Sequence, residues 1–280
     1  MTGTTRAPRG DLTTYETATF TDAGKTRTIF RKGTGPAVIV ISELPGISPM
    51  VLGFADRVVA LGCTAVLLQL FGQPGREPFP NGKIDVGYEF TSFNRICISK
   101  EFTVFATGKS SRIITWLRAL AAEEHVRNGG PGVGVVGMCY TGGFALAMAV
   151  DGHVLAPVLS QPSLPVALTK KQKASIDTTD ADLEIVSQRC ANEGLRVLGL
   201  RFKNDPFVPD ARFSFLKERL GDGFVAVELH QRDGNPASAM RRLRHHSVLT
   251  GDLVNEPGEP TRRALEQVME LFRTKLLAST

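Results

Sequence analysis

The chain has 280 residues, 42% of them apolar and 22% charged, proportions that fit a soluble globular protein. Its 33 Lys and Arg against 28 Asp and Glu give a net charge of +5. That excess is spread along the chain, and its two densest basic runs, 241–246 and 170–173, have no interleaved aromatics, which argues against nucleic-acid binding. No apolar run approaches ~18 residues, which excludes a hydrophobic membrane-spanning helix.

Residues 1–12 read as a loose polar tail, without the apolar core of a secretory signal. A β-hairpin is expected over 15–20 and 25–31, turning at Thr21-Asp22-Ala23-Gly24. The run at 37–42 is continuous and β-branched, the pattern of a strand buried on both faces. An amphipathic helix over 49–61 follows, ending at Gly62, and then a second buried strand over 63–70. Residues 71–108 are too long for an ordinary connection and read as a lid.

Beyond the lid the pattern alternates. Helices are expected at 109–124, 141–150, 180–192, 210–220 and 261–277, and strands at 132–138, 154–160, 196–202 and 224–230. Loops fill 162–179 and 232–253. Strands alternating with helices predict a doubly wound, mostly parallel sheet, with residues 13–280 as one domain.

The four cysteines at 63, 97, 139 and 190 form no C-x-x-C pair, so no zinc site or thioredoxin-like motif is indicated. Reduced thiols in the cytoplasm are expected. Gly132-x-Gly134-x-x-Gly137 matches a dinucleotide fingerprint only by letter. Valines are interleaved, so the glycines lie on the strand itself and not in the turn that opens a helix. No cofactor is expected from it.

The turn after that strand is the informative one. Gly137-Met138-Cys139-Tyr140-Thr141-Gly142-Gly143 leads from a strand into a small-residue helix, the context that exposes a nucleophile in α/β-hydrolases. The helix N-terminus favours a thiolate and a developing oxyanion. Thr141 stands where glycine is usual. The plainer alternative for Cys139 is a small core hydrophobe at a strand end. In nucleophile–acid–histidine order, Asp205 follows a strand end, where it can also make a simple turn. His245 and His246 lie in the last long loop. Adjacent histidines point different ways, so at most one of them can serve as the base.

These motifs resemble the dienelactone hydrolase family. Residues 38–75, with Ser42-Glu43-Leu44-Pro45-Gly46, are similar to its early strand, glutamate and turn. The Cys139 turn is similar to its G-x-C-x-G-G, Asp205-x-x-Val208-Pro209 to its D-x-x-V-P, and His246-Ser247 to its histidine turn. Asp205 follows Cys139 by 66 residues and His246 follows Asp205 by 41, and the likeness runs over roughly 20–277.

The resemblance implies an α/β-hydrolase fold and a Cys139–His246–Asp205 triad, with His246 as the base and His245 as the fallback. Glu43 would contact the cysteine and help form the thiolate once substrate arrives, and the backbone N–H groups of Tyr140 and Leu44 would hold the oxyanion. The implied partner is a small-molecule ester or lactone. Where characterised members carry a carboxylate-binding arginine, this sequence has Thr250, and Arg95 and Lys100 in the lid read as solvated. A thioesterase using the same site, or a non-catalytic regulatory protein, are the other classes open to the sequence.

Overall fold

The computed structural model describes residues 10–80, 87, 112–164, 169–239, 241 and 244–278. Eight strands form one sheet: β1 (Glu16–Asp22), β2 (Lys25–Lys32), β3 (Ala37–Ile41), β4 (Thr64–Leu68), β5 (Val133–Met138), β6 (Val154–Ser160), β7 (Val197–Phe202) and β8 (Phe224–Leu229). Their order across the sheet is β1-β2-β4-β3-β5-β6-β7-β8. β1 and β2 run antiparallel at one edge, and β4, β3 and β5 to β8 are parallel.

The helices are α1 (Pro49–Ala60), α2 (Ile113–Asn128), α3 (Gly142–Met148), α4 (Lys170–Lys173), α5 (Asp180–Asn192), α6 (Asp210–Leu220) and α7 (Pro260–Phe272). The period-2 pleat of the central strands sorts their side chains onto two faces. Val38, Val40, Val136 and Met138 pack under α1 and α7. Ile39, Ile41, Val133 and Val135 pack under α2, α3, α5 and α6. Helices on both faces of a mostly parallel sheet make the doubly wound α/β architecture expected from the sequence.

Local chemistry explains the boundaries. Ser48 caps α1 by accepting from the Val51 N–H at 3.3 Å, and Pro49 occupies the first turn, where its missing N–H is harmless. α2 runs past the expected end at 124 to Asn128. Its last turn is polar, Asn128 Nδ2 donates to the Glu124 carbonyl at 2.9 Å, and Gly129 stops it at φ 68°. The expected loop over 162–179 contains the one-turn α4, where Thr169 and Gln172 cap each other. The closing helix ends in a π-helical turn, Arg273–Leu277. Gly134 lies on β5 beneath Phe272, where a Cβ would come within 3.0 Å of the ring, so its role is close packing.

Most of the expected lid, with Arg95 and Lys100, and most of the expected N-terminal tail lie outside the described residues. Among the described helices none is long and apolar enough to cross a membrane.

The parallel strands put their C-terminal ends on one rim, where open α/β sheets carry ligands. Register aligns these ends closely: Ile41 pairs with Gly137, Met138 with Ser160, and Phe202 with Leu229.

Candidate active site

The rim collects Glu43 beyond β3, Cys139 beyond β5, Asp205 beyond β7, and His245 and His246 beyond β8. The backbone there departs from ordinary conformations. Cys139 (φ 57°), Gln161 (φ 37°), Asn204 (φ 62°) and Arg244 (φ 95°) are four of the five non-glycine residues with positive φ among the described residues. Each costs on the order of 1–3 kcal/mol, less for Asn, and such outliers persist where surrounding structure over-determines them, commonly at functional sites. Cys139 is itself a candidate, Asn204 and Arg244 adjoin Asp205 and His245, and Gln161 hydrogen-bonds to Glu43.

The Cys139 turn is built by two substitutable-looking positions that are not free. A Cβ on Gly137 would sit 2.1 Å from the Thr141 carbonyl oxygen, so only glycine fits. Thr141 itself is helical in φ and ψ, so glycine is not needed there. Its hydroxyl accepts from the Met138 N–H at 2.9 Å and donates to the Ile41 carbonyl at 2.9 Å. The threonine thus pins the turn to the end of β3. Tyr140 follows the cysteine in the one-turn 3-10 helix Cys139–Thr141, and Leu44 leaves the neighbouring β3.

Cys139 is half-buried. Cys63 and Cys190 are buried, and burial pushes the Cys63 thiol up to about 11 and raises that of Cys190. Structural thiols of that kind are inert.

The Cys139 sulfur acts electrostatically on the His246 ring, whose Nδ1 lies 2.6 Å from Asp205 Oδ2. Burial opposes its charged form. The electrostatic interaction with the Cys139 sulfur and the hydrogen bond to Asp205 outweigh that and hold its pKa well above 6.5. Asp205 uses its second oxygen to accept from the Phe207 N–H at 2.9 Å, so the turn and the histidine contact coexist. His245 points elsewhere: its Nδ1 lies 2.7 Å from Asp252 Oδ1. Asp252, wholly buried, also accepts from the backbone N–H groups of His246 (2.7 Å) and Ser247 (2.9 Å). It anchors the loop that aims His246, a role that no motif in the sequence signals. Among the described residues no cluster of three His, Cys, Asp or Glu could hold a metal ion.

Glu43 is buried near the same loop. Its Oε2 accepts from Gln161 Nε2 (2.9 Å) and Ser247 Oγ (2.8 Å), and its Oε1 from the Thr250 hydroxyl. None of these partners is Cys139, and none is a cation. Burial therefore raises its pKa against the pull of the Thr250 and Ser247 hydrogen bonds. A carboxyl whose folded pKa is raised contributes stability below its unfolded pKa and loses it as pH rises through the folded value. Glu43→Gln, whose amide can still face Thr250 while its oxygen accepts from Gln161 and Ser247, is expected to melt higher than wild type near pH 8. The gain is roughly 2–4 °C per kcal/mol for a chain of this size, and it closes toward pH 4. Melts across that range test this, and a difference independent of pH would refute it.

A strand–turn–helix nucleophile position, a rim carboxylate and a rim histidine on this sheet define an α/β-hydrolase. Residues 26–275 match the model of the dienelactone hydrolase family, and the chain belongs to that family. Membership makes it a carboxylic ester hydrolase by class. The solved structures it is similar to include a dienelactone hydrolase-like promiscuous phosphotriesterase from metagenomic libraries, at 14% identity and TM-score 0.60, covering 94% of this chain and 98% of that one. A dienelactone hydrolase from Anabaena variabilis matches at 14% identity and TM-score 0.54, with 94% and 98% covered. A cold-adapted esterase from an Arctic intertidal metagenomic library matches at 11% and 0.53, with 94% and 93% covered. At such identities these likenesses speak to the fold. No curated protein sequence matches the chain.

Proposed function

We propose that the chain hydrolyses small esters or lactones through an acyl-thioester on Cys139, with His246 as general base and acid and Asp205 as its orienting partner. The supporting observation is the half-buried thiol in a left-handed turn, beside a histidine whose Nδ1 meets a buried carboxylate.

His246 Nε2 takes the thiol proton, and the sulfur attacks the carbonyl carbon. The carbonyl electrons move to oxygen, where the backbone N–H groups of Tyr140 and Leu44 stabilise the charge. Collapse breaks the bond to the alkoxy oxygen, which leaves with the proton from His246. A water then gives its proton to His246 and attacks the thioester, and the acid departs as the sulfur is released. Thiolates suit activated esters, lactones and thioesters better than amides.

Two features bear on the substrate. The position of the family's carboxylate-binding arginine is Thr250, whose hydroxyl is given to Glu43. Phe207, 49% exposed, lies with its ring 5.4 Å from the His246 ring, edge to face. Both favour an uncharged ester or lactone with an apolar group over a dienelactone carboxylate. The test is a panel of esters, lactones and acyl thioesters, with acid quenching of a slowly deacylating ester and peptide mass mapping. An acyl adduct on the Cys139 peptide is expected. Turnover with the label on another residue would overturn the mechanism.

A further inference from the structure

The loop after β6 carries a hydroxyl-bearing residue to the sulfur. Ser163 Oγ lies 3.1 Å from Cys139 Sγ, and the Ser163 backbone N–H donates to the Cys139 carbonyl at 3.0 Å. Ser163 is only 7% exposed, so bulk water competes little for either bond.

The loop is held there by an unusual cation. Arg212 on α6 is wholly buried and makes no ion pair among the described residues. Its guanidinium donates to four backbone carbonyls: Pro162 (2.9 Å), Phe207 (2.9 Å), Ser175 (2.6 Å) and Gln172 (3.3 Å). Burial pulls its pKa down to about 10, against the electrostatic pull of Asp205 and the Cys139 sulfur, so it stays protonated at neutral pH. Arg212 thereby ties Pro162, the residue before Ser163, to the loop that carries Asp205. The Ser163 hydroxyl is fixed relative to both ends of the Cys139–His246–Asp205 row.

We infer that Ser163 is a further residue of the active centre, its hydroxyl donating to the Cys139 sulfur and holding the thiolate once His246 has taken the proton. This rests on Cys139 being the nucleophile. The proton balance is simple. Before the transfer the S–H faces His246 and the Ser163 O–H faces a sulfur lone pair. After transfer the sulfur accepts from both, and Ser163 loses nothing. The other charges near the sulfur are His246 and Arg212, with Asp205 behind His246 and Glu43 behind Gln161. None of them is altered by changing Ser163.

Ser163→Ala removes the hydroxyl and keeps the backbone bond to Cys139. The readout is the rate of iodoacetamide alkylation of the Cys139 peptide from pH 5 to 9. Loss of a hydrogen bond to a charged acceptor is expected to move that profile up by about one pH unit. A more basic thiolate is also intrinsically more nucleophilic, so the variant should be roughly threefold slower at the acid end and roughly threefold faster at the alkaline end. The curves therefore cross, which a general loosening of the fold would not produce. Ser163→Thr, which keeps the hydroxyl, should return the profile toward wild type. Superimposable profiles for wild type and Ser163→Ala would overturn the inference. Slow alkylation of wild-type Cys139, at the rate of the unfolded chain, would instead overturn the nucleophile reading and the inference with it. If Ser163→Ala melts far below wild type, Ser163→Gly is used for the same measurement.

Discussion

Cys139→Ala is expected to lower kcat/KM for an activated ester by roughly 10,000-fold or more, the scale on which removing a nucleophile collapses a triad. The alanine variant retains the turn, the helix behind it and the His246–Asp205 pair, so any residual rate comes from binding, oxyanion donors and directly activated water. Cys139→Ser should fall between alanine and wild type, because serine presents a hydroxyl to the same histidine but gives up its proton less readily than a thiol. Cys63→Ala and Cys190→Ala should leave turnover within about twofold, since both thiols are buried, raised in pKa and away from the rim. A stability comparison separates chemistry from folding. Cys139 sits at φ 57°, where glycine is unstrained, so Cys139→Gly should be more stable than Cys139→Ala by about 1 kcal/mol while equally inactive. Steady-state kinetics and thermal melts on the same preparations measure both. An alanine variant with wild-type turnover would remove Cys139 from the mechanism.

The sheet could be read from the sequence because its central strands are buried on both faces. Ala37–Ile41 and Val133–Met138 are short, apolar and β-branched, and tertiary context had nothing to override. The Cys139 turn could be read because its constraint is local: Gly137 is dictated by an atom four residues away in the chain. Other features depend on distant partners. Which of two adjacent histidines faces the rim is decided by Asp252 and Gln231, which between them bind the His245 ring and backbone and the His246 N–H. Ser163 sits in a stretch that reads as featureless loop, and its position depends on Arg212, 49 residues further on and apparently just another basic residue on a helix. The family likeness puts Glu43 against the cysteine once substrate arrives. The chain pattern does not announce its hydrogen bonds without substrate, to Gln161, Ser247 and Thr250, two of them in the histidine loop 204 and 207 residues later. Chain patterns carry elements and local turns, whereas the wiring between loops depends on contacts that no period announces.

His246→Ala is expected to cost roughly 1,000-fold in kcat, within the range typical of a positioned general base, whereas His245→Ala should stay within about tenfold. The contrast follows from their partners. Removing the His245 ring leaves Asp252 Oδ2 bonded to the backbone of His246 and Ser247, so the loop keeps its aim. Asp205→Asn should lose roughly a hundredfold or more, because an amide donor facing Nδ1 forces the proton onto Nε2 and blocks the nitrogen that must accept from sulfur. Cys139→Ala combined with His246→Ala should be no worse than Cys139→Ala alone, as expected of residues that act as one unit. The pH dependence has a definite sign. The folded pKa of His246 lies well above 6.5, so its charge contributes stability in full below that value and loses it as pH rises through the folded pKa. The stability difference between wild type and His246→Gln should therefore be greatest near pH 6 and shrink on the alkaline side. In a Cys139→Ala background the sulfur's contribution is gone, so the same difference should close at lower pH. Histidine C2-proton titration by NMR reads the shift directly. If the His246 titration is unmoved by Cys139→Ala while His245 responds, then His245 is the partner of the thiol and the base assignment passes to it.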